Sequence, residues 1–317
     1  MSQRDYIIYK IIFLGQEVEE VYPDKEKRVK LMLLGAHMSI AGGLEKSIIR
    51  GQSIGCQAIQ IFTKNTNQWR AKPLAPEEVR RFKENRQTSR IIVFGHTSYL
   101  INLASPDEDL RQKSIESFLI EIERCALLGL PCLVTHPGAH LGTGEDIGLA
   151  RLIRALDEIC AQTENSAVMV LLEVTAGQGS VLGYRFEHLA EIIKGSSFPD
   201  RLGICFDTCH AFAAGYDLRT PDAYAQTFAR LDALVGLGRL KAIHLSDSRG
   251  GLGSHLDRHE HIGLGQLGLA AFRLLLNDPR LQHLPMVLET PKGKELKEDL
   301  ENLATLKSLL IKNIDTN

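Results

Sequence analysis

No stretch of this chain approaches the ~20 consecutive apolar residues of a bilayer span, so no membrane-crossing helix is expected. Paired cysteines are missing as well. Six cysteines (Cys56, Cys125, Cys132, Cys160, Cys205 and Cys209) are scattered through apolar segments with no CxxC among them. That spacing excludes a disulfide framework and suits buried thiols in a reducing compartment, so a cytoplasmic location is expected. The apolar stretch from Tyr6 to Gly15 is broken by Lys10, lacks a small-residue cleavage pattern and runs into the charged stretch Glu17 to Lys30, which argues against a signal peptide. Charge of one sign is not in excess: the formal net charge is -2, with 44% hydrophobic and 24% charged residues, the profile of an ordinary globular protein. A dinucleotide fingerprint is also lacking, because the glycines of GAHMSIAGG stand in the wrong order for GxGxxG.

What the chain does have is a series of eight apolar, β-branched runs: LLGAH (33–37), AIQIF (58–62), IIVFGH (91–96), CLVTHPG (132–138), MVLLEV (169–174), LGICFDTCH (202–210), AIHLSDS (242–248) and PMVLET (285–290). Each gap leaves room for one helix, the arrangement of parallel strands joined by crossovers. The clearest helical gap is SPDEDLRQKSIESFLIEIERCALLG, where Ser105 is placed to cap, Pro106 to fill the first turn, Glu108 to complete a capping box and Gly129 to end the helix. Similar apolar stripes occupy 146–162, 185–194, 221–236, 266–276 and 297–312. Eight such units predict a closed (β/α)8 TIM barrel over residues 32–317, with an open doubly wound sheet as the alternative. Residues 1–31 stand outside the count, as an extra strand, a floppy arm or an extension not needed for function.

Nine histidine or carboxylate side chains sit at or just beyond the C-terminal ends of six of these runs. The set is His96, His136, Glu173, Asp207, His210, His244, Asp257, His259 and Glu289. A single polar strand end is most often a cap or a satisfied core histidine; repetition at successive strand ends points instead to a metal-centred enzyme at the mouth of a barrel. Five imidazoles and four carboxylates exceed the needs of one zinc ion. With one carboxylate shared, they divide among three ions, each left short of saturation. Three divalent ions outweigh four carboxylates, which suits an anionic phosphate, and phosphoester hydrolysis is the favoured chemistry.

Around this set lie weaker signals. Cys209 is a possible soft ligand, though a buried thiol among oxygen and nitrogen donors is more simply a small hydrophobe. In GSHLDRHEHIGLG, Asp257 and His259 alternate around Arg258, so the two can point together while Arg258 faces a phosphate; His255 and His261 are spare candidates. FTKNTNQWRAKPL sets the only tryptophan, Trp69, among Lys64, Arg70 and Lys72, a combination that fits either a nucleic-acid backbone with a stacked base or a loop packed on the barrel. Tyr99, three residues after His96, is placed either to wedge into a duplex or to cover the mouth.

GAHMSIAGG, QIFTKNTNQW, HTSYLINLA, THPGAH, LLEVTAGQG, CFDTCHAFAAGYD, HLSDS and DRHEHIGLG carry a resemblance. In order and spacing they resemble the motifs of endonuclease IV, the zinc-dependent apurinic/apyrimidinic endonuclease family of base excision repair, from Leu33 to about Lys292. The resemblance implies a (β/α)8 barrel with three Zn2+ ions, which cuts double-stranded DNA 5′ to an abasic site and leaves a 3′ hydroxyl and a 5′ deoxyribose phosphate. Carried over by position, His96, His136 and Glu173 would hold one zinc. Glu173 as the bridge would join Asp207, His244 and Glu289 on a second, and His210, Asp257 and His259 would hold the third. Glu173 is thereby the catalytic carboxylate, and Tyr99, Asn67, Trp69 and Arg258 the expected DNA contacts. A monomer is expected.

The chain departs from the family pattern at three places. Val174 stands where the family usually has asparagine, Asn67 where it often has an arginine that enters the DNA stack, and Ser246 and Arg249 where asparagine and lysine are common. The first bears on a hydrogen bond behind the metal and the second on the wedge beside Tyr99. Two other functions compete: a metal-dependent sugar isomerase or epimerase on the same barrel, and a zinc-holding protein that binds lesions without cutting them.

Overall fold

The computed structural model describes residues 7–14, 16–22 and 32–311. Eight parallel strands close into a barrel: β1 (Leu34–His37), β2 (Ala58–Phe62), β3 (Ile92–His96), β4 (Cys132–Thr135), β5 (Met169–Glu173), β6 (Leu202–Asp207), β7 (Leu240–Leu245) and β8 (Met286–Leu288), with β8 pairing back onto β1. Helices α1 (Leu44–Ser53), α2 (Pro76–Ser89), α3 (Glu108–Leu128), α4 (Glu145–Gln162), α5 (Phe186–Gly195), α6 (Thr208–Ala213), α7 (Pro221–Leu234), α8 (Gly268–Leu276) and α9 (Lys297–Ser308) fill the gaps. Closure excludes the open doubly wound sheet, and each of the eight apolar runs contributes one strand.

The two-residue period of a strand sorts side chains into two cores. Outward residues such as Ile59, Val93, Leu133, Leu172, Phe206 and Leu245 pack under the helices. Inward residues form a separate, smaller cluster in the lumen, including Ala58, Phe94, Val134, Leu171, Cys205, Ala242 and Val287. Each buried Leu, Ile or Phe contributes roughly 1.5–3 kcal/mol through removal from water. Two residues further along each strand, the inward parity reaches Gln60, His96, His136, Glu173, Asp207, His244 and Glu289. The lumen is therefore greasy below and polar at its mouth, and the switch occurs at the same height in strand after strand.

Several expected boundaries shift, two of them for a clear local reason. The cap of α3 is Asp107, whose carboxylate accepts from the Leu110 N–H at 3.0 Å; Ser105 instead accepts from the Asp107 N–H, and Pro106 lies before the cap. An ionised carboxylate directly before the first turn is the stronger acceptor. Helix α8 begins at Gly268, two residues late, because the Leu267 and Gly268 N–H groups donate to the buried carboxylate of Asp247. The last helix ends at Ser308, and residue 312 lies outside the described residues. Within the N-terminal segment, Ile7–Phe13 and Gln16–Tyr22 pair as an antiparallel hairpin; residues 1–6, 15 and 23–31 lie outside the described residues.

Candidate metal centre

All nine candidate side chains meet at the C-terminal mouth, in three groups within each of which the ligand atoms lie within 4.8 Å of one another: His96 with His136 and Glu173; Glu173 with Asp207, His244 and Glu289; and His210 with Asp257 and His259. Glu173 is common to the first two. Its Oε2 lies 3.1 Å from His96 Nε2 and 3.3 Å from His136 Nε2, while its Oε1 lies 3.2 Å from His244 Nδ1. In the third group His210 Nε2 is 3.2 Å from His259 Nε2 and 3.3 Å from Asp257 Oδ1.

Local structure aims each donor. At the end of β6 the Asp207 carboxylate caps α6, its Oδ1 accepting from the His210 N–H at 2.8 Å, and that turn carries His210 from the strand into the mouth. Its other oxygen, Oδ2, is buried with no hydrogen-bond partner, 3.7 Å from His244 Nδ1 and 3.9 Å from His259 Nε2. Backbone carbonyls fix three imidazoles: His96 Nδ1 donates to Thr97 O at 2.7 Å, His210 Nδ1 to Val174 O at 3.0 Å and His259 Nδ1 to Glu289 O at 2.5 Å. A carbonyl accepts only, so these Nδ1 atoms carry a proton, which leaves each Nε2 as the atom that can turn a lone pair to a metal. Asp257 and His259 ride on a loop tied down by Asp247, which accepts from the N–H groups of Ser248, Gly263, Leu267 and Gly268. Only glycine fits at 265, where a Cβ would lie 2.4 Å from Ser248 O.

These residues fit divalent metal. Ligand atoms held 2.0–2.1 Å from a tetrahedral ion stand roughly 3.3 Å apart, close to the separations found here. The electrostatics agree. Burial would push the Glu173 carboxyl up, but His244 and His136 outweigh it and hold the group well below the usual carboxylate range. Burial pushes the Asp207 carboxyl up, and the nearby Glu173 charge adds to the rise. For Asp257, burial is overcome by the hydrogen bond and charge of His210, which lower the carboxyl to about 2. So many carboxylates in one buried pocket repel unless positive charge lies between them, and the orphaned Asp207 oxygen needs a partner of that kind.

The centre is buried at its bottom and open at the top. Glu173, Asp207 and His244 are inaccessible, whereas the side chains of His136 and Asp257 are 31% and 44% exposed and line a cleft of about 1180 Å³. Arg249, Arg258 and Lys292 stand on its wall, and Tyr99 overhangs it with its ring 5.6 Å from that of His96. Asn67 and Trp69 do not line the cleft: Asn67 is exposed on the loop after β2, and Trp69 is half-buried against the outer core. Among their basic neighbours Lys64 borders the cleft but is almost wholly buried, donating to Gln68 O at 2.7 Å and lying 3.4 Å from Glu121 Oε1, so it braces the loop. The spare histidines are structural. His255 Nδ1 donates to Ala176 O, and His261 Nδ1 pairs with the amide of Asn302. Cys209 lies within reach of Asp207 and His259, but burial pushes its thiol up to about 12, which favours the protonated form.

Two contributors escaped the sequence reading: Gln60, on the inward face of β2, and His37, at the tip of β1. Gln60 touches His244, Glu289 and His37. The signal available was an amide inside an otherwise apolar run, at the same inward parity as the ligands. At Val174 the side chain is buried in the outer core, and the bond to His210 uses its backbone carbonyl, which any residue supplies.

The chain is 57% identical over 277 residues to a protein named "Probable endonuclease 4" from Chloroflexus aggregans, a match covering 87% of this chain and 97% of the relative. It belongs to the endonuclease IV family. A protein of the same name from Geobacter sulfurreducens is 50% identical, with 87% and 94% of the two chains covered. Residues 50–307 match the wider family described as a xylose isomerase-like TIM barrel. Among solved structures, endonuclease IV from Thermus thermophilus superposes with a TM-score of 0.76 at 37% identity, over 87% of this chain and 98% of that one. A D-tagatose 3-epimerase-like protein, at 22% identity and a TM-score of 0.66 over 87% and 96%, shares the fold.

Proposed function

We propose that this chain is a DNA repair endonuclease that hydrolyses the phosphodiester 5′ to abasic sites in double-stranded DNA, leaving 3′ hydroxyl and 5′ deoxyribose phosphate ends. The nine donors of a single chain complete the centre, so no partner subunit is required for it, and a cytoplasmic setting is in keeping with six free buried thiols. No helix of the described residues is long and apolar enough to cross a membrane. Residues 32–317 form the endonuclease domain. The observation that carries the reading is the set of three adjacent ligand groups, two of them sharing Glu173, opening by His136 and Asp257 into a cleft with basic walls.

Three zinc ions would be held by His96, His136 and Glu173; by Glu173, Asp207, His244 and Glu289; and by His210, Asp257 and His259. When bound, zinc supplies Lewis acidity toward phosphate oxygens and a lowered pKa for water. The chain's own residues do the rest. Glu173 holds two of the groups at a fixed separation, and Asp207 points its free oxygen between the second and third. Arg249 and Arg258 receive the flanking phosphates from the cleft wall, and Tyr99, the exposed ring over the centre, fills the space of the missing base. Asn67 and Trp69 support the neighbouring loop, with Asn67 on its exposed side toward DNA.

A sugar isomerase needs fewer donors than the nine gathered here. The test is incubation with a duplex carrying one tetrahydrofuran abasic analogue. Incision on the 5′ side without added magnesium, lost after prolonged chelation, is expected. Binding without incision would favour the lesion-binding reading instead, and neither binding nor incision would overturn the proposal.

A further inference from the structure

Gln60 is the one fully buried amide among the lumen residues of the barrel strands that touches the centre, and its three contacts admit a single arrangement. Its Nε2 lies 2.5 Å from Glu289 Oε1 and 2.9 Å from His37 Nδ1, and its Oε1 lies 2.8 Å from His244 Nε2. Turning the amide over would set its oxygen against the Glu289 carboxylate, lone pair to lone pair. The amide nitrogen therefore donates to Glu289, and the amide oxygen accepts from His244. It follows that His244 carries its proton on Nε2. Its Nδ1, 3.2 Å from Glu173, 3.5 Å from Glu289 Oε2 and 3.7 Å from Asp207, is the atom left to turn a lone pair to an ion held among those carboxylates.

This arrangement separates His244 from the other fixed imidazoles. His96, His210 and His259 owe their tautomer to backbone carbonyls, which no substitution removes. His244 owes it to a side chain. It also presents Nδ1 to the centre where they present Nε2. With His244 wholly inaccessible, no water can replace the amide if it is lost. The same side chain occupies Glu289 Oε1, which leaves Oε2 facing the other donors.

We propose that Gln60 is a positioning residue that sets the tautomer of His244 and the rotation of Glu289, and thereby the affinity of the four-donor group for its ion; the inference rests on the metal reading above. Gln60→Met keeps the length of the side chain and removes all three hydrogen bonds. In competition with a chromophoric zinc chelator, the variant is expected to bind one zinc equivalent ~10–100-fold more weakly than the wild type and to keep the remainder. The second measurement needs no variant: long-range 15N–1H correlation spectra of the zinc-loaded wild type, labelled at histidine, are expected to show His244 protonated at Nε2. Wild-type affinity in Gln60→Met, or a His244 proton on Nδ1, would overturn the proposal. A wild-type protein that takes up no zinc would instead overturn the metal reading, and this inference with it.

Discussion

Asp207 divides its two oxygens between two tasks, one capping a helix and one left bare toward two histidines. Such divisions are how single residues build this centre, and they set what single substitutions should do. Glu173 lies within 3.3 Å of a nitrogen of His96, His136 and His244. Glu173→Gln replaces one of its carboxylate oxygens with an amide that cannot bridge, so incision of the abasic duplex should fall by on the order of 100-fold or more while circular dichroism stays that of the wild type. Near wild-type turnover would refute the bridging role. Tyr99 is 64% exposed, so Tyr99→Ala should change stability by less than about 0.5 kcal/mol. Its effect belongs to recognition: affinity for the abasic duplex should drop by ~1–3 kcal/mol, more than affinity for intact duplex, in a fluorescence anisotropy titration. Equal losses for both would make Tyr99 a packing residue.

At the scale of elements, strand period and helix caps carry most of the information that the chain displays openly. Apolar strands such as IVFGH and MVLLE end in candidate ligands at inward parity, so strand and site are readable from the same letters. Capping was less readable, because Ser105 and Asp107 both suit the start of α3 and only the turn geometry selects the carboxylate. Asp107→Ala should therefore destabilise the fold by ~0.5–2 kcal/mol in urea unfolding of the metal-free protein, whereas Ser105→Ala should have the smaller effect. The reverse order would restore Ser105 as the cap. Loops were the least readable. Lys64 looked like a phosphate contact until its pairing with Glu121 turned it inward, and His255 and His261 looked like ligands until backbone and Asn302 claimed them. In each case the deciding partner lies far along the chain, where spacing carries no signal.

For the whole molecule, barrel closure is what brings donors from residues 96 to 289 into one mouth, and neither a single strand nor an open sheet could do so. That outcome followed from counting eight strand and helix units. Gln60 and His37 did not follow, since their importance lies in contacts across the lumen to His244 and Glu289, which only closure creates. The same closure buries the Asp207 carboxylate beside Glu173, where burial and the Glu173 charge push it up, and a bound cation would relieve it. Elemental analysis of the purified, unchelated protein tests that directly. About three zinc ions per chain are expected; one ion or none would contradict the three-ion centre.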